Sequence, residues 1–309
     1  GPEAGTFGGE VVAQGTMKEI LNSKSLTAQY LTGKKKIKIP QIRRKSKEKI
    51  IVTGARENNL QNITVHFPLN SMTVVTGVSG SGKSTLVKKI LYPALQRELG
   101  VFIEKPGQFN KLEGNYGSVK HVEFIDQNPI GRSSRSNPVT YIKAYDDIRA
   151  LFASISLSKM RNYQAKHFSF NVDGGRCDTC KGEGTVTIEM QFMADVILQC
   201  DHCKGKRFKK EVREVQFEGK SIDAILKLTV DDAIMFFEKH RQAKLVKKLA
   251  PLQKVGLGYV SLGQSSTSLS GGEAQRIKLA TFIGKGDHRD KILFIFDEPT
   301  TGLHFHDVN

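Results

Sequence analysis

A glycine-rich turn that ends in Lys-Ser-Thr is the first stretch of this sequence able to do chemistry. Residues 77–85 read G-V-S-G-S-G-K-S-T, which is the G-x-x-x-x-G-K-[ST] spacing of the P-loop. Glycines at these positions let successive backbone N–H groups point at one phosphate, because no Cβ stands in the way. A helix that begins after the turn adds the positive end of its dipole. We therefore predict a nucleotide site; the alternative is a glycine-rich structural turn.

The side chains of this turn have separate roles in the prediction. Lys83 would reach the β and γ phosphates of ATP or ADP, and the Ser84 hydroxyl would take one place on a Mg²⁺ that bridges them. The predicted nucleotide-binding residues of the turn are Gly77, Ser79, Gly80, Ser81, Gly82, Lys83, Ser84 and Thr85.

Two carboxylates follow a second apolar run. Residues 292–296 read I-L-F-I-F, which predicts a strand buried on both faces of a parallel sheet. At its end, Asp297 would hold Mg²⁺ through water and Glu298 would polarise the attacking water as general base. Gln127 follows the predicted strand 122–125 and is placed to touch Mg²⁺ and the same water, although this signal is weak by itself.

Four cysteines occur within 27 residues, as two C-x₂-C pairs separated by 19 residues. This is the spacing of a four-thiolate Zn²⁺ site, and four thiolates leave no open position, so the metal would be structural. The alternative is four free thiols. Alternation at 186, 188, 190 and 192 predicts a β-hairpin between the pairs, with returning strands near 208, 215 and 217. The predicted zinc ligands are Cys177, Cys180, Cys200 and Cys203.

The balance of charge points to a polyanionic partner. Forty-seven Lys and Arg against thirty-one Asp and Glu give a net charge of +16, which favours nucleic acid or acidic lipid over a bland basic surface. Arg132 and Arg135 lie in a turn rich in Ser and Asn, where they would contact phosphates or form an ordinary surface turn. Residues 33–49 hold nine cations, either a phosphate-binding strip or a solvated linker. Cations also crowd the second cysteine pair, where Lys204, Lys206 and Arg207 are candidate DNA contacts.

No run approaches the length of a membrane span, and no signal-peptide pattern begins the chain. Clustered cysteines without an export signal indicate a reducing compartment, so we expect a cytoplasmic protein.

The elements that must position these groups can be predicted in outline. Strands are expected at 51–52, 63–67, 72–76 and 122–125, with a loop over 101–120. The third of these strands would feed the P-loop. A short strand is expected at 11–15, one amphipathic helix and a turn over 17–30, and helices at 139–152, 229–237 and 241–249.

A second helix start carries the sequence L-S-G-G-E, at residues 269–273. It is similar to the signature of ATP-binding-cassette ATPases, where the helix terminus closes on the γ-phosphate of a nucleotide held by an opposing domain. This likeness assigns nucleotide contacts to Ser270, Gly271 and Gly272. It also implies that residues 300–304 face the other nucleotide-binding domain.

With these motifs in view, the chain resembles the UvrA family, specifically its C-terminal half. The stretches that carry the resemblance are 77–85, I-D-Q-N-P-I-G-R-S-S-R-S-N-P at 125–138, F-N-V-D-G-G-R-C-D-T-C at 170–180, V-G-L-G-Y-V-S-L-G at 255–263, and 269–303. A Cys₄ module between P-loop and signature is specific to this family among cassette ATPases.

The resemblance implies an α/β fold: a P-loop ABC-type ATPase domain with a mixed or parallel sheet and flanking helices, an inserted helical signature domain and a Cys₄ zinc-finger hairpin. The implied domains are 1–49, the end of a preceding half with a basic linker; 50–127 with 263–309, the ATPase core; and 128–262, the inserted DNA-binding domain with its zinc module at 170–217.

The function that the resemblance implies is ATP-dependent DNA binding and damage recognition in the UvrABC nucleotide excision repair system. Its implied partners are double-stranded DNA, the N-terminal half, a second copy in a homodimer, and UvrB through the N-terminal half. DNA incision is not by this subunit. Arg132 and Arg135 are assigned to the DNA surface.

Three departures and alternatives remain. The family has two nucleotide-binding domains, whereas this chain shows one P-loop and one signature, so we expect a fragment that binds nucleotide weakly and hydrolyses it poorly. A UvrA paralogue used in drug tolerance would carry the same motifs. A transporter ATPase is the alternative from another class, for which neither the cysteine module nor the charge has a use.

Overall fold

The computed structural model of the protein describes residues 5, 8–131, 135–190, 195–284 and 291–309. Two compact units divide the chain. The sheet unit comprises Lys36–Ile125 and Asp287–Asp297, and the helical unit comprises Gly1–Lys35, Asp126–Gly286 and Glu298–Asn309. The domain boundaries predicted from the sequence stay a prediction.

The helices and strands of the described residues are numbered in chain order. The strands are β1 (Lys49–Ala55), β2 (Ile63–Pro68), β3 (Lys111–Gly114), β4 (His121–Ile125), β5 (Thr185–Ile188), β6 (Val196–Gln199), β7 (Gln216–Phe217), β8 (Lys220–Ser221) and β9 (Ile292–Phe296). The α-helices are α1 (Met17–Asn22), α2 (Leu26–Leu31), α3 (Tyr92–Glu98), α4 (Pro138–Tyr141), α5 (Tyr145–Ser154), α6 (Ser156–Met160), α7 (Lys210–Arg213), α8 (Ile222–Lys227), α9 (Val230–Lys239), α10 (Ala243–Lys254), α11 (Gly271–Gly284) and α12 (Phe305–Val308). No helix in the described ranges is both long enough and apolar enough to span a membrane.

An antiparallel sheet in the order β2-β1-β3 forms one part of the sheet unit. Buried Ile50 and Val52 alternate with half-buried neighbours along β1, which is the period-two pattern of a strand with one face in a core. The register against β2 shifts between Val52 and Ala55, and Gly54 lies there with φ +68°. A Cβ on Gly54 would lie 2.3 Å from the Asn110 side-chain amide, so the bulge requires glycine.

A parallel pair, β4 and β9, forms the other sheet of this unit. The strand predicted at 122–125 is therefore confirmed. β9 corresponds to the strand predicted at 292–296. The prediction that this strand is buried on both faces is wrong, because Ile295 is buried but Phe296 is 41% exposed. The physical reason is that, in the described part of the chain, this sheet is only two strands wide, which is too narrow to shield the side chains of β9 from water on both faces.

The helix after the P-loop packs its apolar side on this unit's core. A π-helix runs over Thr85–Leu91 and continues into α3. The buried Gln96 amide donates to the Val122 carbonyl at 2.9 Å, which satisfies a polar group within the core. The largest buried side chains here are Ile50, Ile90, Leu95 and Ile125.

The strand predicted at 72–76 is wrong. This segment has no regular secondary structure, and Val74 is 67% exposed. A strand is stable only when a neighbour accepts and donates its backbone hydrogen bonds. Neither sheet of the sheet unit, as far as its residues are described, pairs with this segment. The P-loop therefore follows an extended chain instead of a strand.

The loop predicted over 101–120 contains β3, which the sequence analysis missed. Its residues, K-L-E-G, lack the β-branched and aromatic side chains that favour strands. Long-range pairing with β1 outweighs that weak propensity. The Thr53 hydroxyl, on β1, donates to the Glu113 carboxylate of β3 at 2.9 Å, and Lys111 pairs with the same carboxylate.

A separate core holds the helical unit together. Helices α5 and α8–α11 surround buried aromatic side chains, among them Phe152, Phe168, Phe170, Phe208 and Phe237. Tyr145 stacks on Phe170, with ring centroids 4.9 Å apart, and its hydroxyl donates to the Phe168 carbonyl at 2.6 Å. Burial raises the pKa of Tyr145, so the phenol stays a donor. The helices predicted at 229–237 and 241–249 correspond to α9 and α10.

Several predicted elements of the helical unit differ in detail. The single helix predicted at 139–152 is two helices, because Lys143 adopts φ +58° between α4 and α5. The region 17–30 also holds two short helices, α1 and α2, separated at Ser23. No strand forms at 11–15. In the two helical regions, a residue with non-helical backbone angles interrupts the helix that the sequence period predicts.

Candidate nucleotide, metal and nucleic-acid sites

In the sheet unit, the lysine of the P-loop is hydrogen-bonded to the backbone of the loop itself. Gly80 and Gly82 have φ values of +78° and +94°, in the left-handed region that glycine adopts without strain. The Lys83 ammonium donates to the carbonyl oxygens of Gly77 and Val78, at 2.9 Å each. A glycine-rich turn that holds a cation against its backbone has the composition that a phosphate site requires.

Two neighbouring asparagines, which the sequence analysis did not single out, support this turn. The Asn59 amide donates to the Gly80 carbonyl at 2.8 Å, and the Asn58 amide donates to the Thr85 hydroxyl at 3.3 Å. A Cβ on Gly82 would come within 2.8 Å of Leu60, so the loop before β2 also packs on the P-loop.

The candidate magnesium ligands, Ser84 and Asp297, both belong to the sheet unit. Ser84 directly precedes the helix Thr85–Leu91. The Asp297 N–H donates to the Ile125 carbonyl at 3.1 Å, which places this carboxylate where the parallel strands β4 and β9 end. Hydroxyl and carboxylate oxygens are ligands that Mg²⁺ prefers.

The helical unit brings Gln127, Gly271 and Glu298 together. The Gln127 amide donates to the Glu298 carbonyl at 3.1 Å. A Cβ on Gly271 would lie 3.0 Å from the Cβ and Oε1 atoms of Gln127. The Thr301 hydroxyl donates to the Glu298 carboxylate at 3.4 Å, and Glu298 adopts φ +47°. The first helical residue of the signature thus lies beside Gln127, whose amide contacts the backbone of the predicted general base.

The signature helix α11 begins with a reciprocal cap. The Ser270 N–H donates to Glu273 Oε2 at 2.8 Å, while the Glu273 N–H donates to the Ser270 hydroxyl at 3.3 Å. The Tyr259 hydroxyl donates to Glu273 Oε1 at 2.6 Å. Burial opposes ionisation of Glu273, but the hydrogen bonds from Tyr259 and Ser270 hold its pKa below the usual range. The predicted phosphate-facing terminus is therefore fixed by residues of its own unit.

An ion pair joins α11 to the residue before Gln127. Lys278 donates to the Asp126 carboxylate and, at 3.1 Å, to the Asp126 carbonyl. Their side chains are 15% and 17% exposed, so the pair is mostly removed from water.

Replacing this lysine should destabilise the helical unit. We expect Lys278→Met to lower the free energy of unfolding by about 2–3 kcal/mol, because Asp126 is left charged and poorly hydrated; a fully buried pair would cost roughly 3–5 kcal/mol. Urea unfolding measures the change. The double variant Lys278→Met/Asp126→Asn removes the orphaned charge and should recover part of the loss. Equal stability of Lys278→Met and the wild type would contradict the assignment.

The four cysteines of the helical unit form one buried cluster. Their sulfur atoms all lie within 4.8 Å of one another, and the sulfurs of Cys180 and Cys203 are 3.6 Å apart. Four sulfurs at about 2.3 Å from a common centre lie at such separations, so the cluster could hold a metal ion. Burial raises the pKa of the Cys203 thiol to about 12. A bound cation would therefore replace a proton at this sulfur.

A glycine follows each cysteine pair and adopts a left-handed backbone angle. Gly182 and Gly205 have φ values of +87° and +74°. A Cβ on Gly182 would lie 2.2 Å from the Phe170 carbonyl oxygen, so this position accepts only glycine. The Gly184 N–H donates to the Cys180 sulfur at 3.2 Å, the kind of contact that orients a thiolate ligand. His202 lies beside the Cys177 sulfur at 3.6 Å.

The hairpin predicted between the cysteine pairs is confirmed as β5 and β6. Position 190 lies beyond β5, and position 192 is outside the described residues. The returning strands are largely wrong: Phe208 makes one isolated bridge with Arg176, and α7 follows it. Only Phe217 lies in a short strand, β7. Packing on the aromatic core outweighs the apolar alternation of these residues.

The candidate DNA contacts have unequal surroundings. Lys204 is exposed, whereas Arg135 pairs with Glu183 at 3.3 Å. The Arg207 guanidinium lies over the Phe170 ring, 5.4 Å from its centroid. Arg132 lies outside the described residues.

Comparison with known proteins extends over the whole chain. No family model matches the sequence. UvrABC system protein A of Clostridium perfringens is 53% identical over 311 residues, covering 100% of this chain and 33% of that protein. The protein of the same name from Staphylococcus epidermidis is 50% identical over 311 residues, with 100% and 32% covered.

A solved structure agrees with these relatives. UvrA2 from Deinococcus radiodurans matches with a TM-score of 0.91 and 44% identity, covering 100% of this chain and 36% of that one. The chain spans about one third of the length of the relatives it matches. Identity of 50–53% over the whole chain and a TM-score of 0.91 show that this chain is similar, over its full length, to a segment of UvrABC system protein A and of UvrA2.

Proposed function

We propose that this chain is the nucleotide-binding and DNA-contacting C-terminal half of a damage-recognition subunit of the UvrABC nucleotide excision repair system. The observation that carries the proposal is the match of the whole chain to UvrABC system protein A, with the P-loop lysine and four-cysteine cluster both present. The other partners that we propose for this chain are the N-terminal half, a second copy in a homodimer, and UvrB. The cell compartment is the cytoplasm.

The nucleotide chemistry assigned to this chain is ATP binding and hydrolysis by an ABC-type ATPase. Lys83 would neutralise phosphate charge, and Ser84 with Asp297 would hold Mg²⁺, which supplies further neutralisation of the phosphates. Glu298 would polarise water, with Thr301 fixing its carboxylate. Gln127 would orient the same water. The remaining contacts would come from the P-loop backbone and from Ser270, Gly271 and Gly272.

The metal assigned to the cysteine cluster is Zn²⁺ in a structural role. Four buried sulfurs, close spacing and a backbone N–H donor to Cys180 fit a tetrahedral thiolate site. The ion would fix the base of the β5–β6 hairpin, because Cys180 precedes β5 and Cys200 follows β6.

Duplex DNA is the polyanionic partner that we assign to this chain, whose net charge of +16 suits a polyanion. Arg132, Arg135, Lys204, Lys206 and Arg207 stay candidate contacts. A UvrA paralogue used in drug tolerance stays a second candidate, and capture of UvrB by a polypeptide of the relatives' length distinguishes the two.

Salt dependence tests the DNA assignment. In the zinc-loaded protein, log Kobs for a fluorescent duplex should fall linearly with log salt, and Lys204→Gln should reduce that slope by about 0.9 for one lost phosphate contact. The matched control, Lys239→Gln, removes an exposed cation from the end of α9 and should leave the slope unchanged. A wild-type affinity that does not respond to salt would sink the proposal.

A further inference from the structure

A cavity of about 260 Å³ opens on the helical unit, beside the second cysteine pair. One wall continues directly from Cys203, through Gly205, and the other walls come from α8 and the loop before the signature. Its polar lining consists of Lys206, Arg207, Asp223, Lys227, Ser261 and Gln264.

Positive charge exceeds negative charge in this lining. Three cations face one carboxylate, and the Asp223 carboxylate already accepts a hydrogen bond from the Ser221 hydroxyl at 2.7 Å. The ammonium groups of Lys206 and Lys227 have neither an ion-pair partner nor a hydrogen-bond acceptor within the described ranges. Arg207 is held over the Phe170 ring, and its Nη1 atom is buried without an acceptor in those same ranges.

Such a lining suits an anion with several acceptor oxygens. Lys206 and Lys227, which have no anionic partner in the described ranges, would focus a positive potential in this concave surface. Lysine, arginine, amide and hydroxyl groups are the donors that bind phosphate oxygens. The volume is below the roughly 300–1,000 Å³ of pockets for drug-sized ligands, which favours one phosphate group over a whole nucleotide.

We propose that this cavity binds a single phosphate group, through Lys227, Lys206 and Gln264, at a site separate from the P-loop. The phosphate group can be part of a DNA backbone, or it can be a free inorganic phosphate ion. Only the DNA source rests on the proposed function. Because Gly205 and Lys206 continue from Cys203, a phosphate held here would sit next to the metal cluster.

Lys227→Gln tests the DNA source, because Lys227 is an exposed residue at the end of α8 and belongs to neither the P-loop nor the cysteine cluster. In the zinc-loaded protein, this substitution should make the negative slope of log Kobs against log salt for duplex DNA shallower by about 0.9. Lys239→Gln, at the end of α9, is the matched control and should not change it. Gln264→Ala provides a second, uncharged variant, which should weaken duplex binding at fixed salt.

A thermal-shift titration with inorganic phosphate, against chloride of equal ionic strength, tests the free-phosphate source. One outcome is that phosphate stabilises the wild type, that Lys227→Gln and Gln264→Ala abolish this stabilisation, and that the salt slope for duplex DNA is unchanged. This outcome supports the cavity as a site for free phosphate. An altered duplex slope supports the DNA backbone. If both variants behave like Lys239→Gln in both assays, the proposal is overturned. If the wild type binds no duplex, the proposed function fails while the phosphate titration still decides the cavity.

Discussion

Lys83→Ala is expected to reduce ATP turnover by roughly 10²–10³-fold, the cost of removing one preorganised donor from developing negative charge. The Lys83 ammonium lies inside the glycine turn, 2.9 Å from the Gly77 and Val78 carbonyls, so it is already positioned where phosphate would bind. Turnover should be measured in a polypeptide of the relatives' length. Binding of a fluorescent ATP analogue with Mg²⁺ to this chain reports the local loss.

The matched control is Lys89→Ala. Lys89 is an exposed cation on the same π-helix, and in the described ranges its side chain makes no hydrogen bond or ion pair with the glycine turn. Its loss should leave both nucleotide binding and turnover close to the wild type. Equal effects of the two substitutions would show that Lys83 acts only through net charge, contrary to the assigned role.

Cys180→Ser is expected to abolish stoichiometric zinc binding and to unfold the segment around β5 and β6. Apparent binding free energies of structural zinc sites are about 10–16 kcal/mol at neutral pH, so a lost thiolate ligand removes a large part of local stability. Zinc should also dissociate as the pH falls, because protons compete with the metal for the sulfurs. Metal analysis of reduced protein and a thermal melt measure the two effects.

His202→Ala is the control for this prediction. The His202 ring lies 3.6 Å from the Cys177 sulfur and belongs to the surroundings of the cluster, not to its four sulfurs. The variant should retain one zinc ion per chain. Full zinc content in Cys180→Ser, or loss of zinc in His202→Ala, would contradict a four-thiolate site.

The sequence predicted most accurately the features that depend on short spacings. The P-loop glycines adopt the required backbone angles, and the two C-x₂-C pairs converge into one buried cluster with a hairpin between them. In these places a residue type is dictated locally: Gly182 leaves no room for a Cβ beside the Phe170 carbonyl. Strands over 122–125 and 292–296 were also predicted from apolar runs, whereas their parallel pairing with each other was not.

Features that depend on partners distant in sequence were predicted less well. The apolar run at 72–76 has the composition of a strand, but in the described ranges no strand supplies its hydrogen bonds. Conversely, β3 has a polar sequence and forms because β1 offers an open edge. Asn58 and Asn59 support the P-loop through amide contacts that no periodicity reveals. The Tyr259 contact with Glu273 spans 14 residues and was missed for the same reason.

The measurement that tests the account most directly is duplex binding with and without MgATP, in the zinc-loaded protein and in Lys83→Ala. If the nucleotide site and the DNA surface of this segment act together, MgATP should change the affinity of the wild type for duplex DNA. By linkage, duplex DNA should then change the affinity for the nucleotide by the same factor. The Lys83→Ala variant should bind duplex with one affinity under both conditions. A wild-type affinity that is indifferent to MgATP would contradict the account.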